Sequence, residues 1–243
     1  RKTLPRYAPL ALQNWRWVIA MGGGGLAGFS LLLVYAAQYT TAVNLGIMQG
    51  VIPAVVMLLG WLIYRTRIGW LQFFGLCSSL TGILVLVSTG SFATILALRF
   101  NFGDLLMVAA CLCYGAYTVA LGKRLEMPPV LLLCFFAFCA FLTCSLFLIA
   151  EYMNGNLVLP GFKGSLLLFY SAIFPSILSQ TFYMRGVELA GANRAGLFVN
   201  MVPIFAAFLA MLILSEKMYL YHLAALLMVF GGIFLAQRSK IKT

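Results

Sequence analysis

The stretch AVNLGIMQGVIPAVVMLLGWLIYRTRIGWLQFFGLCSSLTGI, residues 42–83, returns without a gap as ANRAGLFVNMVPIFAAFLAMLILSEKMYLYHLAALLMVFGGI, residues 192–233, at a constant offset of 150. Nine positions are identical: Ala42/Ala192, Gly46/Gly196, Pro53/Pro203, Leu59/Leu209, Leu62/Leu212, Ile63/Ile213, Leu76/Leu226, Gly82/Gly232 and Ile83/Ile233. Leu and Ile matches carry little in so apolar a chain. A shared intrahelical proline, with glycine seven residues before it and another 29 after it, carries much more. Duplicated membrane helices point to a secondary transporter.

With 63% apolar and 9% charged residues and a mean hydropathy of +1.03, the chain lies far from soluble domains, which run at about 45–50% apolar and about 25% charged. Its solvent is the lipid bilayer. The net charge of +11 would suggest nucleic acid in a soluble protein, but the basic residues here sit in short gaps between apolar runs and lack interleaved aromatics, so no nucleic-acid partner is expected. Cys77, Cys111, Cys113, Cys134, Cys139 and Cys144 all fall inside apolar runs. They read as small buried hydrophobes, with no disulfide framework and no metal site.

Eight apolar runs follow, at 17–39, 42–64, 70–87, 102–121, 130–150, 166–187, 195–214 and 220–236. Most approach the ~20 residues that a helix needs to cross the hydrocarbon core. They lack the period-2 alternation of barrel strands, and an isolated span must satisfy its own backbone, so helix is the expected state. Between the third and fourth runs, residues 92–98 are apolar but too short to span and read as an interfacial connection.

Thirteen of the sixteen Lys and Arg fall in alternate gaps on one side, leaving only Arg99, Lys163 and Lys217 on the other. By the positive-inside rule both visible termini should be cytoplasmic. Spans one to three match spans six to eight, five spans later; an odd number reverses direction, so the halves should be inverted repeats. The fourth and fifth spans then lack first-half counterparts. Two N-terminal helices, on the order of 60–70 residues, are therefore expected ahead of Arg1; the alternative is a protein of eight spans. The expected fold is all-α and polytopic, with eight of ten helices present. Its divisions are 1–90 for the incomplete first repeat, 91–101 for the connection and 102–243 for the second repeat.

Residues 191–217, GANRAGLFVNMVPIFAAFLAMLILSEK, resemble the signature of EamA-type members of the drug/metabolite transporter superfamily: a small-residue entry, a mid-helix Asn-x-x-Pro, a run of Ala, Phe and Leu, and a Ser-Glu exit. The copy at 41–53, TAVNLGIMQGVIP, is similar, but its exit at Tyr64–Arg67 lacks the Glu. The resemblance implies ten helices in two inverted repeats, a cavity between them, and transport of small metabolites, usually export of amino acids or related solutes. It also suits a bacterial inner membrane.

Polar side chains at membrane depth mark the candidate cavity. Ser176, Ser179, Gln180 and Tyr183 share one stripe of the sixth span. Tyr114 and Tyr117, with Thr118, share a face of the fourth. Asn44 and Gln49 lie in the second span and Asn200 in the seventh, where Asn200 stands opposite Gly50 in the repeat. Pro53, Pro175 and Pro203 should kink their helices, and Pro175 frees the carbonyl of Ser171. Each polar group has a second reading, as a hydrogen bond between packed helices. Gly22–Gly25 with Gly28, Gly46 with Gly50, and Gly231 with Gly232 suit close packing, and the four-glycine run also suits a hinge.

Catalytic readings find little support. His222 is the sole histidine and Asp104 the sole aspartate, which excludes a two-His zinc motif and a paired-aspartate protease. No enzyme activity and no cofactor are expected, and no mid-membrane carboxylate serves as a proton relay. Without a buried Lys or Arg cluster, a phosphorylated solute is disfavoured. The partners expected are a small-molecule substrate and lipid, with a homodimer left open.

Overall fold

The computed structural model describes residues 3–88, 90–91, 93, 96, 101–155, 157–202, 204–205, 208–209 and 219–238. Outside them lie Pro203, the end of the seventh span, Glu216, Lys217 and most of the interfacial connection at 92–98; the side chain of Asn44 is also outside the description. Among the described residues the structure is helical: α1 Thr3–Gln13, α2 Trp15–Ala36, α3 Ala42–Gln49, α4 Ile52–Tyr64, α5 Trp70–Val87, α6 Phe102–Leu121, α7 Pro129–Met153, α8 Phe162–Ala190, α9 Ala192–Leu197 and α10 Leu220–Gln237.

Four of these, α2, α6, α7 and α8, are long and apolar enough to cross a bilayer; α4, α5 and α10 are apolar but shorter. Helix α1 is additional to the expected eight. Its Tyr7, Leu10 and Ala11 pack against the cluster around Tyr117 and Phe136, so this helix is anchored by one apolar face. The expected second span is two helices, not one. Gly50 and Val51 form a turn in which the Val51 amide reaches back only three residues, to Met48 (3.0 Å). Pro53 enters just beyond it, in the first turn of α4, where its missing amide is tolerated. One repeat length on, α9 likewise tightens into a 3-10 turn over Phe198–Asn200.

The halves also agree where their residues differ. Helix α2 widens to π-helix over Ala20–Ala27, across the glycine run, and α8 does so over Ala172–Leu178, around Pro175. In α8 the carbonyl of Ser171, freed by the proline, accepts the Ser176 hydroxyl at 2.8 Å. At the start of α5, Gln72 Oε1 accepts the Gly69 amide, and at the start of α10, 150 residues later, His222 Nδ1 accepts the Tyr219 amide.

Helices α5 and α10 form the tightest pair. A Cβ on Gly75 would come within 2.4 Å of the Gly232 carbonyl oxygen, and one on Gly232 within 2.4 Å of that of Gly75. Seven residues up α5, Gly82 meets Ala225, seven residues down α10. The pair is therefore antiparallel, and the offset of 150 carries each contact onto the other. That is the pattern of an inverted repeat closing on its own axis.

Helix α6 is the most enclosed span. At its start a clamp ties it to the end of α2: Asn101 and Asp104 cap each other, and the Thr40 hydroxyl donates to Asp104 Oδ1 at 2.7 Å. The outer flank is α8, where none of residues 162–178 is buried. Of the cysteines, Cys111 is buried as expected, but Cys77 and Cys134 are exposed, on helix faces that no described residue covers.

Candidate functional site

Four of the expected polar residues come together where α2, α6 and α8 meet. Spacing of three on α6 brings Tyr114 and Tyr117 to one face, their ring centres 5.7 Å apart. The ring of Tyr183, on α8, lies 5.8 Å from Tyr114, and Phe29 of α2 covers the Tyr114 ring at 5.0 Å. The Tyr117 hydroxyl donates to Gln180 Oε1 at 3.4 Å. Tyr183 shares a hydrogen bond with Thr118, oxygen to oxygen 3.0 Å. Gln180, Tyr114 and Tyr183 are half-buried, whereas Tyr117 is enclosed by Phe136 and by Gly25, whose missing Cβ makes room for it.

The remaining candidates sit apart. Asn200 is buried and donates to the Ser79 hydroxyl at 2.7 Å, joining α9 to α5, while its Oδ1 has no partner among the described residues. A buried amide oxygen left so is destabilising by ~1–3 kcal/mol. Gln49 is half-buried at the end of α3. Ser179 is exposed on the outer flank, and Ser176 returns its hydroxyl to its own helix. Ser79, absent from the expected set, could have been found only by its partner.

A second assembly lies at the basic end of the bundle. The ends of α4 and α6 and the α8–α9 junction enclose a cavity of about 820 Å³, lined by Arg65, Arg67, Lys123 and Arg194 together with Thr66 and Asn193. Lys123 Nζ stands 4.3 Å from the centre of the Tyr64 ring. Beside the cavity, Glu188 is bridged by Arg124 at 2.8 Å and by Arg185 one turn away. Along the sequence Arg65, Arg67, Lys123 and Arg194 mark topology alone, because the three segments are distant in the chain. A smaller cavity of about 480 Å³, lined by Leu31, Tyr35, Phe102 and Phe147 among others, is apolar.

The signature of the EamA-like transporter family matches residues 3–88 and 101–237, nearly the whole chain. The chain belongs to the EamA-like transporter family. It is an integral membrane transporter of the drug/metabolite type. Its relatives include two proteins of Bacillus subtilis, the uncharacterized transporter YyaM (24% identical over 218 residues, 88% of this chain and 70% of that protein) and the uncharacterized transporter YetK (26% over 222 residues, 89% and 66%). An uncharacterized transporter of Archaeoglobus fulgidus is 24% identical over 216 residues, 86% of this chain and 73% of that one. This EamA-like chain thus spans about two thirds to three quarters of these relatives' length. A solved crystal structure shares its fold, with a TM-score of 0.76 at 18% identity over 90% of this chain and 75% of the other.

Proposed function

We propose that this transporter exports small polar metabolites, amino acids among them, by alternating access through a central cavity between two inverted repeats, residues 1–90 and 102–243 joined by 91–101. Both visible termini then face the cytoplasm, in the inner membrane of a bacterium. No enzymatic step is part of the reading.

The observation that carries it is the group of Tyr114, Tyr117, Gln180 and Tyr183 on two membrane-depth helices. An unpaired polar group is strongly disfavoured at that depth, and Tyr117, Gln180 and Tyr183 each have a hydrogen-bond partner. Gln180 and Tyr183 are only half-covered. An amide and two phenols with part of their surface open suit a solute with both polar and apolar parts. The π segments in α2 and α8 add two places where a helix can change register. In a non-transporting scaffold the same groups would serve only as hydrogen bonds between packed helices.

Efflux of radiolabelled amino acids from cells expressing the protein tests the reading. Gln180→Ala and Tyr183→Phe should lower efflux severalfold at unchanged protein level. Unchanged efflux in both variants would assign these groups to helix packing. Asn200→Ala is a poorer probe because it also strips Ser79 of its partner.

A further inference from the structure

The positive-inside rule explains why basic residues gather at one face of a membrane protein, but it asks only for charge dispersed over solvated loops. The structure does something more specific. Arg65 and Arg67 follow α4, Lys123 follows α6 and Arg194 lies in α9, yet all four line one cavity of about 820 Å³, a size that suits a metabolite. No carboxylate lines it among the described residues, and nearby Glu188 is engaged by Arg124 and Arg185. We propose that this cavity is a capture site for a small anionic solute, recognised through a carboxylate or phosphate group. The proposal rests on the transport reading above and narrows its substrate to solutes of net negative charge; it reverses the expectation against phosphorylated solutes, because the basic residues converge only in the fold.

Two further observations point the same way. Thr66 Oγ1, in a residue that lines the cavity, is buried without a partner among the described residues. The position a Cβ would take on Gly60 is 3.1 Å from both Thr66 Oγ1 and Asn193 Oδ1. A hydroxyl so placed is a donor awaiting an acceptor. The second is Arg65 itself, the only non-glycine residue with positive φ (53°) among the described residues. It ends α4 in a left-handed turn, with its own amide bonded to Trp61 and that of Thr66 to Gly60. Glycine is the usual occupant of that position, because a Cβ is strained there by ~1 kcal/mol or more. Arg65 lines the cavity with its guanidinium 5.9 Å from the centre of the Trp61 ring, and it holds that place at the expense of backbone strain.

The test uses the purified protein in nanodiscs of neutral phosphatidylcholine, titrated calorimetrically with succinate and with inorganic phosphate, with alanine as the uncharged-overall control. Saturable binding of either anion, absent for alanine and weakened by salt, is expected. Arg67→Gln and Arg194→Gln should each weaken it roughly tenfold, as loss of a charge-assisted hydrogen bond does. Arg65→Gly should weaken binding while raising the unfolding temperature, a pair of opposite shifts that misfolding cannot produce. Repeating the titration with phosphatidylglycerol in the discs separates the sources. If the phospholipid fills the site and neither soluble anion binds in its absence, the solute assignment is overturned. It is equally overturned if no anion binds, or if binding persists in the Arg67→Gln/Arg194→Gln double variant. Loss of the anion site with amino-acid efflux intact would sink this proposal and leave the transport reading standing.

Discussion

The Ser78 hydroxyl donates to the carbonyl of Met228 at 2.9 Å, and the two residues are repeat equivalents, 150 positions apart. Equivalent residues can touch in this way only where the symmetry axis passes between them. The glycines on either side, Gly75 against Gly232 and Gly82 against Ala225, let the α5 and α10 backbones close on that point.

Substitution there has a sharp expected pattern. Gly75→Ala and Gly232→Ala each drive a methyl into a backbone carbonyl, which cannot swing aside, so each should be destabilising by ~1–3 kcal/mol or more. Gly231→Ala is the control, since no described residue lies within 4 Å of its Cβ position. Thermal unfolding of the purified variants in detergent should rank Gly231→Ala near the parent and the other two well below it.

The glycine run of α2 separates packing from hinge motion. A Cβ on Gly22 would meet the Phe136 carbonyl at 2.3 Å, and one on Gly25 would meet Tyr117 at 2.8 Å, whereas Gly24 faces open space. Gly22→Ala should therefore reduce folded protein. Gly24→Ala should stabilise the helix, by up to ~1 kcal/mol. If the π segment changes register during transport, Gly24→Ala will also slow efflux at normal expression; unaltered efflux would assign the whole run to packing.

The Thr118–Tyr183 hydrogen bond joins α6 to α8. A double-mutant cycle with Thr118→Val and Tyr183→Phe should show a coupling of ~0.6 kcal/mol in unfolding experiments, the usual size inside a membrane protein. A coupling indistinguishable from zero would mean that the two hydroxyls are satisfied elsewhere.

The sequence by itself determined the class, the periodicity and the family. Apolar runs of this length admit only helix in lipid, and the Gly and Pro spaced alike in 42–83 and 192–233 record a duplication that side-chain chemistry alone would hide. It also brought out Tyr114, Tyr117, Gln180 and Tyr183, because positions three and four apart share a helix face whatever the tertiary structure. Only the tertiary structure decided which faces meet. It put Asn200 against Ser79 and left Ser179 on the outer flank. It drew Arg65, Arg67, Lys123 and Arg194 around one cavity from three segments far apart along the chain. The turn at Gly50–Val51 and the widened turns of α2 and α8 were likewise beyond one-dimensional reading. Proline and glycine announce that a helix is weak at a point, but whether it breaks, widens or bends depends on the neighbours that fill the space beside it.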